Sequence, residues 1–267
     1  MSRHPLAIAM TVALGLLTIA PSAFAQQDKA SPSMREQRAK RMAELGKDKE
    51  EAKQAEEKPA KYPNTTRVAP EAKASGKTVK QLQALQEKYQ KEDMAGVIAK
   101  AEEIAAMPAA GAYEKSFAYS MAGNAAADLD DQVRAADYFG KAVAANGLDN
   151  DSHFNTMYNH AVILFGNEKY AEALAIVDRF LAETRSDKPE YQSFRAGILA
   201  NLDRNEEAAA IYKELVAKNP TDKRILMNAV AALQGADKFD QANALLEDAY
   251  KRGMLSEERE LRWLYIG

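Results

Sequence analysis

Two stretches, YAEALAIVDRF at 170–180 and FDQANALLEDA at 239–249, share one arrangement of side chains and decide the fold. Each begins with an aromatic residue, followed by Ala three residues later, an apolar residue four after that, and a small or apolar residue three further on. This spacing places the four residues on one face of an α-helix. The two stretches are therefore copies of one amphipathic helix.

Weaker copies of this helix occur at regular intervals along the chain. The central small or apolar position recurs at spacings of 38, 38, 35 and 34 residues, as Val97, Ala135, Ala173, Ala208 and Ala242. Twelve residues before each lies a second, mostly small residue: Leu85, Gly123, Ala161, Ala196 and Val230. Turn-forming residues separate the two positions, which predicts five helix–turn–helix units with closely packed helices. A single hairpin cannot bury its apolar face, so the units must stack.

This arrangement resembles the tetratricopeptide repeat family over about 79–267. The resemblance is clearest in the fourth and fifth units, on Ala196, Leu199, Ala208, Tyr212, Leu215, Pro220, Leu226, Ala229, Leu233, Phe239, Ala242, Leu246 and Ala249, and in the second, on Tyr119, Gly123, Ala135, Phe139 and Ala142. It implies an all-α, right-handed superhelical solenoid over 77–267, with about five hairpins and a terminal helix. His160 and Arg195 depart from it, because the family has apolar residues there.

The N-terminus has the three zones of a secretory signal peptide. Arg3 precedes an uncharged apolar stretch, 6–20, and Ala23 and Ala25 supply the small residues that a signal peptidase accepts. We expect cleavage after Ala25 and a periplasmic protein with no stable membrane insertion. An uncleaved anchor is the weaker alternative, since a membrane-spanning helix needs about 20 apolar residues.

Residues 26–76 are charged and poor in large apolar side chains, with 12 basic and 9 acidic residues. Good helix formers fill 34–58, and Pro59, Pro63 and Pro70 end the helical pattern after that stretch. This composition predicts a solvated, partly helical, low-complexity tether, either a spacer or, less favoured, a flexible arm that touches an acidic surface or anionic lipid. Residues 77–267 hold 23 basic and 30 acidic residues, which argues against nucleic acid as a partner.

The composition leaves little material for a catalytic or metal site. The chain has no Cys and three His, so thiolate chemistry is excluded. The GKT triplet at 76–78 has Glu71 where a phosphate-binding loop needs Gly. His153 and His160 are two helical turns apart, about 10 Å, too far to share an ion, and His160 is predicted to pack between helices. We therefore expect no enzyme activity, cofactor or metal.

In the family the first helix of each hairpin lines the concave face, which implies a partner-binding groove. The corresponding positions, called the groove residues below, are Phe117, Ser120, Asn124, Asn155, Tyr158, Val162, Phe165, Ser193, Arg224 and Met227. Their mixture of aromatic, amide and apolar groups suits an extended or helical peptide. Some family members bind a terminal carboxylate with Lys and Asn. Asn124 is present here but Ser120 replaces Lys, so carboxylate capture is disfavoured.

The C-terminal end forms a second candidate surface. Gly253 suits the left-handed position after a helix, and a last helix is predicted over 257–266. Its apolar residues lie on more than one face and could dock a partner or a second copy: Leu261, Trp263, Leu264 and Tyr265. The segment 251–265 also resembles a junction in periplasmic repeat proteins associated with the TonB system.

These features predict a non-catalytic periplasmic scaffold that binds an envelope protein or peptide, with TonB-dependent transport as one setting. Two alternatives stay open. The repeats could be the regulatory part of a longer envelope enzyme, or the protein could be structural and self-associate through its C-terminal end.

Overall fold

The computed structural model describes residues 60–71, 74, 76 and 78–255, and this part of the chain contains ten α-helices and no strand. The helices are α1 Val79–Gln90, α2 Met94–Ala106, α3 Ala112–Asp128, α4 Gln132–Ala145, α5 Asn150–Gly166, α6 Tyr170–Thr184, α7 Pro189–Asn201, α8 Asn205–Lys218, α9 Lys223–Gly235 and α10 Phe239–Lys251. The predicted signal peptide 1–25, the helix-forming stretch 34–58 and the terminal helix 257–266 lie outside the described residues.

The helices pair into five hairpins that stack in chain order. Each helix packs chiefly against the helix before it and the helix after it, as in a solenoid. The two sets of repeat positions lie at the centre of this packing: Leu85, Val97, Ala135, Ala161, Ala173, Ala196, Ala208, Val230 and Ala242 have no exposed side-chain surface. The predicted all-α solenoid of five hairpins is confirmed.

Gly123 and Phe139 show how closely the helices of one hairpin approach. A Cβ atom on Gly123 would lie 2.6 Å from Cδ1 of Phe139, and Phe139 itself is fully buried. That distance is well inside van der Waals contact. The helix α3 backbone therefore rests directly on the Phe139 ring, and only glycine fits at this point.

The turns within the five hairpins share one backbone conformation. An acidic residue with φ between 57° and 62° lies five residues before each small position of the second helix: Glu92, Asp130, Glu168, Asp203 and Asp237. A left-handed conformation costs a non-glycine residue roughly 1–2 kcal/mol. The same conformation occurs in all five turns, so we infer that the packing of the two helices in each hairpin imposes it.

The two departures from the family pattern have local explanations. A Cβ on Gly140 would lie 3.3 Å from Cε1 of His160, so the imidazole fills the space that this glycine leaves between α4 and α5. Arg195 reaches back to α6, where its Nε lies 2.6 Å from Oδ1 of Asp178. At the end of α10, Gly253 has φ 71°, as predicted. Phe239, in contrast, is 48% exposed and does not enter the core.

Residues 61–67, called the docked segment below, belong to the stretch predicted to be a solvated tether, and most of their side chains are exposed or half-buried, but the segment is bound to the repeats and Tyr62 is buried. These residues lie against hairpins 2, 3 and 4, and the Tyr62 side chain is only 3% exposed. The low apolar content of the stretch gave no indication that it would bind the repeats. One buried aromatic ring and a set of polar contacts are sufficient to hold it.

None of the helices in the described part combines the length and apolarity that crossing a membrane requires.

Substituting the glycine at the helix crossing tests the packing. We expect Gly123→Ala to lower the free energy of unfolding by about 1–3 kcal/mol, because the added methyl group forces α3 away from Phe139. The control is Gly166→Ala, at the end of α5, where a Cβ would meet no atom within 4 Å. In urea denaturation, the free energy of unfolding of Gly166→Ala should be equal to or slightly higher than that of the parent protein. If the two substitutions changed the free energy of unfolding equally, the close contact between α3 and Phe139 would be contradicted.

Candidate peptide-binding site

The groove residues all lie on the first helices of hairpins 2 to 5, namely α3, α5, α7 and α9. Their side chains are half-buried except for those of Val162 and Arg224, which are exposed. They are therefore accessible to a partner. Their surroundings differ from hairpin to hairpin.

Hairpins 3 and 4 bring aromatic groove residues together. The Phe194 ring lies between Tyr158 and Phe165, with centroids 5.4 and 5.5 Å away and edge-to-face geometry. Tyr158 also packs edge-to-face on Tyr191, at 5.0 Å. Burial raises the pKa of Tyr158 to about 12, so its hydroxyl stays protonated and can donate a hydrogen bond. Val162 lies on the same helix face, one turn from Tyr158 and Phe165.

The groove residues of hairpin 2 are engaged locally. Phe117 stacks on Tyr113 with ring centroids 6.0 Å apart. Ser120 Oγ lies 3.1 Å from Thr156 Oγ1, and the side-chain amide of Asn124 donates to the carbonyl of Ser120. The contact between Ser120 and Thr156 joins α3 to α5.

In hairpins 4 and 5 the groove residues are separated. The carbonyl of Ser193 accepts from Tyr212, Arg224 Nη2 lies 3.8 Å from an oxygen of Asp222, and Met227 packs against the core. The structure thus gathers Tyr158, Val162 and Phe165 into one cluster and leaves Ser193, Arg224 and Met227 outside it.

The docked segment places Tyr62 in a pocket between hairpins 3 and 4. Its ring centroid lies 5.3 Å from that of Phe154 and 5.7 Å from that of Phe180, both edge-to-face. Its hydroxyl lies 3.2 Å from Oδ1 of Asn155 and 3.3 Å from the hydroxyl of Tyr191. Burial raises the pKa of Tyr62 far above its ordinary value, so the hydroxyl remains a donor. The pocket is therefore complementary to a tyrosine side chain.

The segment's main chain and its lysine are also bound. The Lys61 amide donates to both carboxylate oxygens of Asp151, each at 3.1 Å, and Lys61 Nζ lies 2.5 Å from Oδ1 of Asn155. Further along, the Thr66 amide donates to the carbonyl of Glu183 at 2.9 Å. Asn155 is thus the groove residue that contacts the segment directly.

Arg67 anchors the other end on the connection between α4 and α5. Its guanidinium donates to Oδ1 of Asn146 at 2.9 Å, to Oδ1 of Asn150 at 2.7 Å and to the carbonyl of Leu148 at 2.9 Å. The Asn150 amide in turn donates to the Arg67 carbonyl at 3.1 Å. Three fixed oxygens thus match the planar fork of an arginine.

The connection that receives Arg67 packs tightly against the start of α3. A Cβ on Gly147 would lie 2.1 Å from the carbonyl carbon of Ala112, so the backbone passes directly over the start of α3. Ser116 Oγ, buried in α3, accepts from the Gly147 amide at 2.8 Å and donates to the Ala142 carbonyl at 2.9 Å. Asn146 and Leu148 are held in place on either side, so the acceptors for a guanidinium are preorganised.

Sequence reasoning missed most of this site. The missed residues lie at the ends of helices and in connections, beside the predicted groove: Asn146, Leu148, Asn150, Asp151, Phe154, Phe180, Glu183 and Tyr191. One signal was present in the sequence. The connection 146–151 reads NGLDND, which holds more amide and carboxylate side chains than a turn alone requires.

His153 lies beneath the docked segment and is almost fully buried. Neither of its ring nitrogens has a hydrogen-bond partner among the described residues. Burial, followed by the positive charge of Arg67, lowers the pKa of His153 to about 4. The side chain is therefore neutral at pH 7 and opposes protonation while the protein is folded.

Within the described residues, no group of three or more His, Asp or Glu side chains could hold a metal ion. The proposed C-terminal docking residues Leu261, Trp263, Leu264 and Tyr265 lie outside the described part of the chain.

The lowered pKa of His153 predicts a loss of stability in mild acid. An unfolded histidine, with its ordinary pKa of 6.5, binds a proton below that pH, whereas the folded one does so only near pH 4. The free energy of unfolding should therefore fall between pH 6.5 and pH 4, by up to about 3 kcal/mol from this group. His153→Leu should remove most of that decrease in urea titrations at about pH 7 and pH 5. If His153→Leu lost as much free energy of unfolding between pH 7 and pH 5 as the parent protein does, His153 would not be the group responsible.

Comparison with known proteins identifies the fold. No family model and no curated protein matches the sequence. The crystal structure of YrrB, described as a TPR protein with an unusual peptide-binding site, matches with a TM-score of 0.53, 18% identity, 68% of this chain and 89% of that chain. A mutant of MamA matches with a TM-score of 0.52, 12% identity, 70% of this chain and 98% of that chain. MamA from Desulfovibrio magneticus RS-1 matches with a TM-score of 0.50 and 15% identity, over 67% of this chain and 96% of that chain. At these identities the likeness concerns the fold, and the chain has the tetratricopeptide repeat fold.

Proposed function

We propose that this protein is a non-catalytic periplasmic scaffold that binds an envelope protein through the first helices of hairpins 3 and 4. The observation that carries the proposal is the aromatic cluster Tyr158, Phe165 and Phe194, with the exposed Val162 beside it. Aromatic side chains with apolar bodies and little conformational freedom are the groups that dominate protein–protein contacts.

The binding of the docked segment supports the same function. Three successive hairpins hold an irregular stretch of chain through its main chain and through the side chains of Lys61, Tyr62 and Arg67. The surface of this solenoid is thus able to bind a stretch of chain that has no regular secondary structure. YrrB, one of the similar structures, is described as having a peptide-binding site of its own.

The periplasmic part of the proposal rests on the sequence of residues 1–25. The resemblance of 251–265 to proteins associated with the TonB system suggests TonB-dependent transport as one setting. An envelope partner follows from the compartment, because an exported scaffold meets only other exported or membrane-anchored proteins.

Processing of the N-terminus tests the compartment. Expressed in a Gram-negative host, the chain should be recovered from the periplasmic fraction with Gln26 as its first residue, which intact-mass measurement would detect. Ala25→Arg should block cleavage, because the peptidase accepts only a small residue at that position. Recovery of the unprocessed parent chain from the cytoplasm would contradict export.

Crosslinking from matched positions tests the binding surface. A photoreactive amino acid at Val162, which is 39% exposed, should capture an envelope protein in living cells. The same group at Val133, which is 75% exposed on the second helix of hairpin 2, is the control and should capture little. Phe194→Ala in the Val162 background should reduce capture several-fold. Equal capture from both valines, or none from Val162, would contradict the proposal.

A further inference from the structure

The docked segment resembles a bound ligand more than a structural element. It is irregular in structure, it precedes the repeats in the chain, and it contacts residues up to 129 positions away. A β-turn at its centre, closed by the Thr65 amide on the Tyr62 carbonyl, has Pro63 at its second position, where proline is common. The turn sets the distance between the two anchoring side chains, Tyr62 and Arg67.

We propose that the site occupied by residues 61–67 is a peptide-binding site for a partner's segment that has a tyrosine and, five residues later, an arginine, with a turn between them. The docked segment is then a built-in competitor that the partner displaces. This inference rests on the proposed scaffold function and specifies a second part of its binding surface.

The chemistry of the site defines the ligand at both ends. One end combines the edges of Phe154 and Phe180 with acceptors for a hydroxyl, which selects tyrosine over phenylalanine. The other end offers three neutral oxygens in the geometry of a guanidinium, which selects arginine over lysine. The Lys61 amide, just before the tyrosine, donates to the Asp151 carboxylate, and the Thr66 amide, just before the arginine, donates to the Glu183 carbonyl, so each main-chain contact lies beside an anchoring side chain.

Charge favours a basic ligand of this kind. Residues 77–267 carry 30 acidic against 23 basic residues, while the docked segment carries Lys61 and Arg67 and no acidic residue. The site is also continuous with the aromatic cluster, because the Tyr191 ring contacts Tyr62 on one side and Tyr158 on the other. A partner that displaces the segment therefore reaches the surface proposed above.

The chain topology makes the internal segment a strong competitor. Residues 68–77 link it to α1, and a short covalent connection gives an effective concentration of the order of millimolar. A peptide in solution with a micromolar dissociation constant therefore binds poorly until the internal segment is weakened.

The experiment uses a labelled synthetic peptide with the sequence of residues 60–71, AKYPNTTRVAPE, and the full exported chain. In the chain, Tyr62→Ala combined with Arg67→Ala should release the internal segment. Fluorescence anisotropy should then show the peptide binding to the double variant at least about tenfold more tightly than to the parent protein. Peptides carrying Tyr→Phe or Arg→Lys at the two anchoring positions should bind the double variant more weakly than the original peptide.

Controls separate the possible outcomes. Far-UV circular dichroism and a cooperative melting transition must show that the double variant is folded. If it is not, Arg67→Ala alone weakens the segment without removing the buried ring. Absence of peptide binding to a folded, released variant would overturn the inference and make the segment a permanent structural element. A concentration-dependent dimer of the parent chain that disappears in the double variant would also overturn it, because the occupant would be a second copy. Either result leaves crosslinking from Val162 unaffected, so this inference can fail while the scaffold function stands.

Discussion

The close approach of the two helices in each hairpin is the constraint on which the rest of the structure depends. Mostly small side chains lie at these crossings, and at Gly123 the helix backbone rests directly on the Phe139 ring. That approach fixes the intervening turn, including its acidic residue with positive φ. It also leaves an apolar face on each hairpin that only the next hairpin covers. The stack, and the exposure of the first helices along it, follow from this one contact.

The docked segment depends on the same stack in a different way. The pocket around Tyr62 belongs to no single hairpin, since Phe154 and Phe180 come from hairpin 3 and Tyr191 from hairpin 4. The acceptors for Arg67 lie on the connection from hairpin 2 to hairpin 3. The site therefore exists only when three hairpins are assembled in register. Phe180 is the last position of the repeat pattern, but Phe154 and Tyr191 lie outside that pattern, so the specificity of the site comes largely from residues that the pattern does not constrain.

This origin explains which features could be predicted from the sequence. The repeat positions recur at a regular period, so the hairpins, their phase and the buried residues Ala135 and Ala208 could be identified from spacing alone. Tyr62 is a single aromatic residue in a charged, proline-containing stretch, and its burial depends on a pocket assembled from residues far along the chain, up to 129 positions away. The residues around Tyr62 in the sequence therefore do not predict such a pocket. The aromatic cluster was predicted in part, through Tyr158 and Phe165. Its partner Phe194 was missed because its neighbour Ser193 was assigned to the groove instead.

The docked segment also changes the cooperativity of the array. A solenoid with contacts only between neighbours behaves as a one-dimensional chain, in which each hairpin can fray separately and contact order is low. A stretch that bridges three hairpins adds the long-range contacts that such an array lacks. These contacts favour coupled folding of hairpins 2, 3 and 4, whereas the described contacts of the segment do not reach hairpin 5. During synthesis the segment precedes the hairpins that bind it, so it docks only after those hairpins have formed.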